Sequence, residues 1–262
     1  YTDIAIDANA NNGDIIASIT SADPNVDFDL NAHADMRGEY PKANVDLMID
    51  SINLRNLGLM NDDFRYHGRL LANFETADID HLNGTVDIVH SSVAYNEERY
   101  TLDTVRLNAV SRDSSNLLQL QSEFLNAHMI GNFRLSELNA SIQDIIAVYY
   151  QPDSVAVPPV EYSPQQFDFS AQFTRSRFIQ GLLPDLTEME DITLDGSFNS
   201  ADNMLLAKAS APHLVYAGTT IDTVGFDLNT VDSTLYYSFL INRIGVGNIE
   251  LINTLLSGTV QQ

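Results

Sequence analysis

Six histidines, His33, His67, His81, His90, His128 and His213, are the residues best suited to metal or acid–base chemistry in this chain. A zinc or hydrolytic site needs them convergent, as a pair at i and i+4 on one helix or as a histidine two residues from a glutamate. None of the six stands in such a group, which predicts solvated or hydrogen-bonded surface roles. Asp23, Asp27 and Asp29 could be read as oxygen ligands for calcium. Alternate acids on one side of a strand are, however, the ordinary means of keeping a long strand soluble. No Gly-x-Ser-x-Gly elbow and no glycine-rich loop ahead of a helix occurs, so neither a serine nucleophile nor a phosphate cradle is indicated. Cysteine is absent, which removes disulfides and thiolate metal sites. The expectation is a non-enzyme, with no catalytic residue, metal ligand or cofactor site.

Charge narrows the partners. The 262 residues carry 36 Asp and Glu against 13 Lys and Arg, a formal net charge of -23, and the sequence pI is near 4.2. Such a field opposes the approach of nucleic acid phosphates before any contact forms, so nucleic acid is not an expected partner. Apolar runs such as 145–150 are far shorter than the roughly 20 residues that cross a bilayer. Strand-like sequence begins at once with Thr2-Asp3-Ile4-Ala5-Ile6, and the chain reads as an internal piece of something longer.

With no reactive constellation to position, the elements themselves become the signal. One pattern, Leu-x-Gly-[Ser/Thr]-apolar, occurs at Leu82–Val86, Leu194–Phe198 and Leu256–Val260. Each copy sits in or beside alternating apolar and polar residues, which indicates an extended β array. Val26, Phe28, Leu30, Ala32, Ala34 and Met36 alternate with Asp27, Asp29, Asn31, His33 and Asp35, long enough to span roughly 35 Å at 3.3 Å per residue. Phe64, Tyr66, Gly68, Leu70, Ala72 and Phe74 repeat that logic, and Val45–Ile49 alternates between the two. Further strands are expected at about 82–94, 99–110, 116–135, 167–173, 191–199, 203–210, 213–217, 220–229, 234–242 and 244–252. Within 116–135 the apolar set changes parity near Phe124-Leu125, which demands a bulge, bend or turn. Helical spacing predicts short helices over Ile52 to Leu57, capped by Asp50 or Ser51 and ended by Gly58, over Ser136 to Tyr150, and near Ser176 to Leu183. The fold class expected is mainly β, with long curved antiparallel sheets forming a β-taco or repeated β-groove and a few short helices. Pro152, Pro158, Pro159 and Pro164 mark 151–164 as a connection between a first unit, 1–150, and a second, 165–262.

A candidate site follows from the apolar strand faces. Phe28, Leu30, Phe64, Leu70, Phe74, Met129, Phe133, Phe169, Phe173 and Phe198 all belong to them. Alternation supports two readings equally: a closed core, or an apolar groove open along its length that acyl chains could fill.

The stretch Ser122-Glu123-Phe124-Leu125-Asn126-Ala127-His128-Met129-Ile130-Gly131-Asn132-Phe133, followed by an amphipathic helix ending in Tyr149-Tyr150-Gln151-Pro152, resembles the AsmA-like superfamily, and within it the translocation and assembly module family. Ile52–Leu59, the strand Gly68 to Phe74, Ile79–Val86 and Leu194–Phe198 extend the resemblance over most of residues 26–262. It implies a periplasmic segment of a diderm-bacterial envelope protein, anchored in the inner membrane and reaching towards the outer one. Members carry long apolar-lined β-sheets and act in outer-membrane protein assembly or secretion and in phospholipid transport. The partners so implied are phospholipid acyl chains or unfolded β-strand clients, with an outer-membrane assembly partner met by regions outside this segment. The competing class is a structural or binding β-sandwich module of an envelope or surface protein, with closed cores and short strands.

Overall fold

A computed structural model describes residues 3–95, 98–113, 115–149, 162–247 and 249–261. Among them the chain is mainly β: seventeen strands form one open antiparallel sheet, accompanied by two short helices, α1 (Leu138–Tyr149) and α2 (Arg177–Leu182). By its contacts the chain divides into two units, one of Tyr1–Ser111, Leu118–Phe124 and Ser176–Leu182, the other of Arg112–Leu117, Leu125–Arg175 and Leu183–Gln262. Most of the proline-rich connection expected at 151–164 lies outside the described residues.

In the first unit β1 (Ile4–Asn11), β2 (Asp14–Asp23), β3 (Val26–Asp35), β4 (Lys42–Asn53), β5 (Phe64–Thr76) and β6 (Asn83–Tyr95) pair in chain order. β7 (Glu98–Leu102) and β8 (Val105–Arg112) then share the far side of β6. The strand expected at 99–110 is therefore two. β2 is a strand that alternation does not single out, because Ile15 and Ile16 are adjacent and Ile16 is left 57% exposed. Bulges align across the sheet: Asp50 is an extra residue on β4 against both β3 and β5, and β6 carries one at His90-Ser91, where His90 has φ 52°. β5 runs straight between them, so Phe64 to Phe74 keep one face as their alternation requires.

The helix expected over Ile52 to Leu57 is not one. β4 continues to Asn53, and a turn follows. Asn53 caps that turn rather than Asp50 or Ser51, accepting the Asn56 N–H on its side chain at 3.1 Å and the Leu57 N–H on its carbonyl at 3.2 Å. Gly58 ends it at φ 73°, as expected of a glycine after the last turn. β-branched Ile52 is claimed by its pairing with Tyr66 and Val26 before a helix can nucleate. α2 forms as expected, with Ser176 accepting the Ile179 N–H on its hydroxyl and the Gln180 N–H on its carbonyl. It packs on β7, where Gly181 lies so close to the Tyr100 ring that no side chain would fit.

β9 (Ser115–Gln121) ends before Ser122, and β10 (Leu125–Asn132) starts at the residue where the parity of the apolar set changes. The single strand expected over 116–135 is thus two. In the second unit β10 pairs β11 (Gln166–Phe173), β11 pairs β13 (Ile192–Asn199), and β14 (Met204–Tyr216) pairs both β13 and the short β12 (Leu186–Met189). β15 (Thr219–Val231), β16 (Thr234–Val246) and β17 (Ile249–Gln261) follow in order. Pro212 does not split 203–217 into two strands, because the ladder simply skips its level: the pairings of Pro212 with Thr223, Thr223 with Asn242 and Asn242 with Asn253 are all missing. Thr223 at φ 51° and Asn253 at φ 49° give way at the same level. The strand expected at 244–252 likewise belongs to two: β16 ends at Val246, and β17 begins at Ile249.

Candidate functional site

The apolar faces are built row by row from directly opposed residues, which share one side of an antiparallel sheet. In the first unit Ile6, Ile19, Leu30, Leu47, Leu70, Ile88 and Val105 stand opposite one another across seven strands. The next row is Ala8, Ala17, Ala32, Val45, Ala72, Val86 and Leu107, and Phe74 lies in the row beyond, between Ala43 and Gly84. Phe28, Leu30, Phe64, Leu70 and Phe74 therefore do share a face, and all five are half-buried.

The second unit repeats the plan. Ala127, Ala171, Leu194, Ala209, Phe226, Phe239 and Leu256 make one seven-strand row. Met129, Phe169, Gly196, Ala207, Leu228, Tyr237 and Gly258 make the next. Met129, Phe169 and Phe173 are half-buried here, whereas Phe133 and Phe198 are 4% and 1% exposed. These two belong to a packed aromatic group. Phe167 stacks on Phe198 at 4.9 Å and meets Phe133 edge-on at 6.0 Å. Nearby in sequence, α1 buries Ile145 and Ser141, and buried Gln165 accepts the Arg134 N–H at 3.1 Å. Phe133 and Phe198 are core residues, not an accessible lining.

Only nine apolar side chains among the described residues are buried: Ala72, Val93, Ala109, Phe133, Ile145, Phe167, Ile179, Leu186 and Phe198. A closed sandwich would bury the whole inner row of each strand. Here the rows stay partly accessible.

The opposite face of the first unit is polar and wet. Arg69 grips Asp46 with two N–H donors at 2.7 and 2.5 Å, Arg106 grips Asp87 at 2.6 and 3.2 Å, and His33 meets Asp14 at 2.8 Å. The Arg69 donors hold the Asp46 carboxyl below the usual carboxylate range. A depression of about 550 Å³ opens on this side, where Ile16 and Leu71 line it beside Asn31, His33, Asp46 and Asn73. None of the residues expected from sequence to line an apolar groove walls that depression.

The histidines occupy hydrogen-bonded surface positions where their bonds are described. His67 meets the Asp50 carbonyl at 3.2 Å, His81 meets Asp78 at 2.8 Å, and His128 meets the Ser170 hydroxyl at 2.9 Å. His213 is the most engaged, at 2.6 Å from Asp222 and 3.2 Å from Glu188. These two acceptors, Asp222 first, raise its pKa. Sequence reasoning could not group them, because the three come from β14, β15 and β12.

The Leu-x-Gly motif acquires a physical meaning. Each of its glycines stands directly opposite an aromatic residue of the preceding partner strand: Gly84 opposite Phe74, Gly196 opposite Phe169, and Gly258 opposite Tyr237. A Cβ on Gly84 would lie 2.7 Å from the Phe74 ring, one on Gly258 would lie 2.7 Å from Tyr237 Cζ, and one on Gly196 would collide with the Phe169 ring. The ring occupies the space of the missing side chain and shields the bare backbone, an arrangement that compensates for glycine in a sheet.

No protein-family model matches this chain, and no curated protein or solved structure matches it.

Proposed function

We propose that this chain is a periplasmic segment of a protein bridging the inner and outer membranes of a diderm bacterium, and that its apolar sheet faces carry phospholipid acyl chains. The observation that supports this reading is the row structure: seven strands wide in each unit, apolar throughout most of its length, and only half-buried at Leu30 and Leu70. An acyl chain laid along such rows gains about 0.8 kcal/mol for each methylene taken from water. The opposite faces carry the ion pairs that water in the periplasm would solvate. Action in outer-membrane protein assembly or secretion is the companion role, in which extended β-strand clients rather than lipids meet the same surfaces. No catalysis is involved.

The test is uptake of a fluorescent phospholipid by the purified chain, beside native mass spectrometry for co-purified lipid. Leu30→Glu places a carboxylate in the middle of the first row. On an accessible face water reaches it, so the loss is confined to about 1 to 3 kcal/mol of apolar contact and the fold survives. Lipid uptake should fall, because a charge raises the free energy of every chain segment beside it. A parent chain that binds no lipid, together with cooperative unfolding of Leu30→Glu, would instead favour a closed structural β module.

A further inference from the structure

Two apolar side chains interrupt the polar face of the first unit. Ile16 on β2 and Leu71 on β5 each follow an apolar residue that faces the other way, Ile15 and Leu70, and so break the alternation of their strands. Both line the depression of about 550 Å³ on that face, a volume within the range of small-molecule sites. β3 and β4 run between them, so the two carbon patches stand about 14 Å apart across the sheet at the usual strand spacing.

The space between the two patches is rich in amides. One row across the sheet reads Ile16, His33, Asn44, Asn73 and Thr85, and the next reads Ser18, Asn31, Asp46, Leu71 and Asp87. Among the described residues, the side chains of Asn44, Asn73 and Thr85 make no hydrogen bond to another residue, although each amide offers two donors and an acceptor. The charged groups are already engaged: Asp46 holds Arg69, Asp87 holds Arg106, and His33 meets Asp14. On a chain with a net charge of -23, this depression presents paired carboxylates beside neutral amides with bonds to give.

We propose that the depression binds a neutral oligosaccharide. A pyranose ring carries C–H patches on its faces and, around its rim, hydroxyl groups that both donate and accept. Ile16 and Leu71 suit the patches, and Asn44, Asn73 and Thr85 suit the hydroxyls. The net charge opposes an anionic ligand, and a cation would have to displace Arg69 and Arg106 from Asp46 and Asp87. A hydrocarbon chain would cover the amides without satisfying them. The site lies on the opposite side of the sheet from Leu30 and Leu70, so it does not rest on the lipid reading.

The probes are maltotriose, cellotriose and chitotriose, titrated into the isotopically labelled chain while the asparagine side-chain signals are followed by NMR. At least one of these trisaccharides should shift the Asn44 and Asn73 amides. Its affinity should hold between 0.01 and 1 M salt, although the screening length falls from about 30 Å to about 3 Å. Asn44→Ala and Asn73→Ala together should weaken binding at least about tenfold. Ile16→Ser, at an exposed position, should weaken it as well, and melting curves should stay as in the parent. Asn126→Ala, in the second unit, should leave binding unchanged, and these results should hold whether or not the parent takes up phospholipid. No shift with any of the three sugars overturns the proposal. So does binding that survives the loss of both amides, or a neutral Gly-Ser peptide that shifts the same signals more strongly than the sugars, which would mark a peptide site instead.

Discussion

His213 shows how a polar side chain ties neighbouring strands of a sheet together. Its ring nitrogens lie against Asp222 and Glu188, and Arg243 approaches Asp222 at 3.7 Å and Glu250 at 2.6 Å, so two cations and three carboxylates alternate across β12, β14, β15, β16 and β17. The histidine pKa is raised by its hydrogen bonds to Asp222 and Glu188, so the folded state holds a proton that the unfolded chain releases near pH 6.5. Its contribution is complete below that value and disappears as pH rises through the raised folded pKa. His213→Gln should therefore lower the melting temperature at pH 6 and lose most of that effect by pH 9. The size will be modest, because the site is open to solvent screening. A deficit that grows with pH would contradict the assignment.

At the scale of elements, the motif glycines make the sharpest prediction. Gly196→Val drives a branched side chain into the Phe169 ring and the Leu206 carbonyl and should cost about 1 to 3 kcal/mol in chemical denaturation. Gly245→Val, on β16 with nothing within 4 Å of the new carbon, should be near neutral or stabilising because valine suits a strand better than glycine. Equal losses at both would remove the ring-over-glycine account. The faces of β3 and β5 are legible in the sequence because alternation is a local property, and so is the break at Phe124-Leu125. What resists is whatever depends on a partner. Ile52 to Leu57 carries helical spacing, but cross-strand pairing of Ile52 decides against the helix. Pro212 looks like a strand end, yet it sits at a level where three further strands also interrupt their ladder. Of the candidate lining, Phe133 and Phe198 read like the rest and are buried because Phe167 lies between them, a neighbour that only the fold supplies. The grouping of His213 with Asp222 and Glu188 lacks any sequence spacing that could have announced it.

Over the whole molecule, the excess of carboxylates sets self-repulsion against the local ion pairs. Thirteen cationic side chains can each offset one of the 36 acids, and the formal charge of -23 that remains has no Lys or Arg left to neutralise it. Added salt acts in two directions. It weakens pairs such as Arg69 with Asp46 and Arg106 with Asp87, which are partly exposed and worth little at the outset. It also screens the repulsion among the uncompensated carboxylates, which destabilises the compact state over a longer range. Between 0.01 and 0.1 M the screening length falls from about 30 Å to about 10 Å. Contact pairs at 2.5 to 3.6 Å, such as Arg69–Asp46 and Lys208–Asp227, stay well inside either length, whereas repulsion across many strands spaced about 4.8 Å apart does not. The melting temperature should therefore rise over that salt range, by the same amount with sodium chloride as with potassium chloride, since screening depends on ionic strength alone. A fall with added salt would mean that the exposed ion pairs, rather than the excess of carboxylates, govern the electrostatic balance of this sheet.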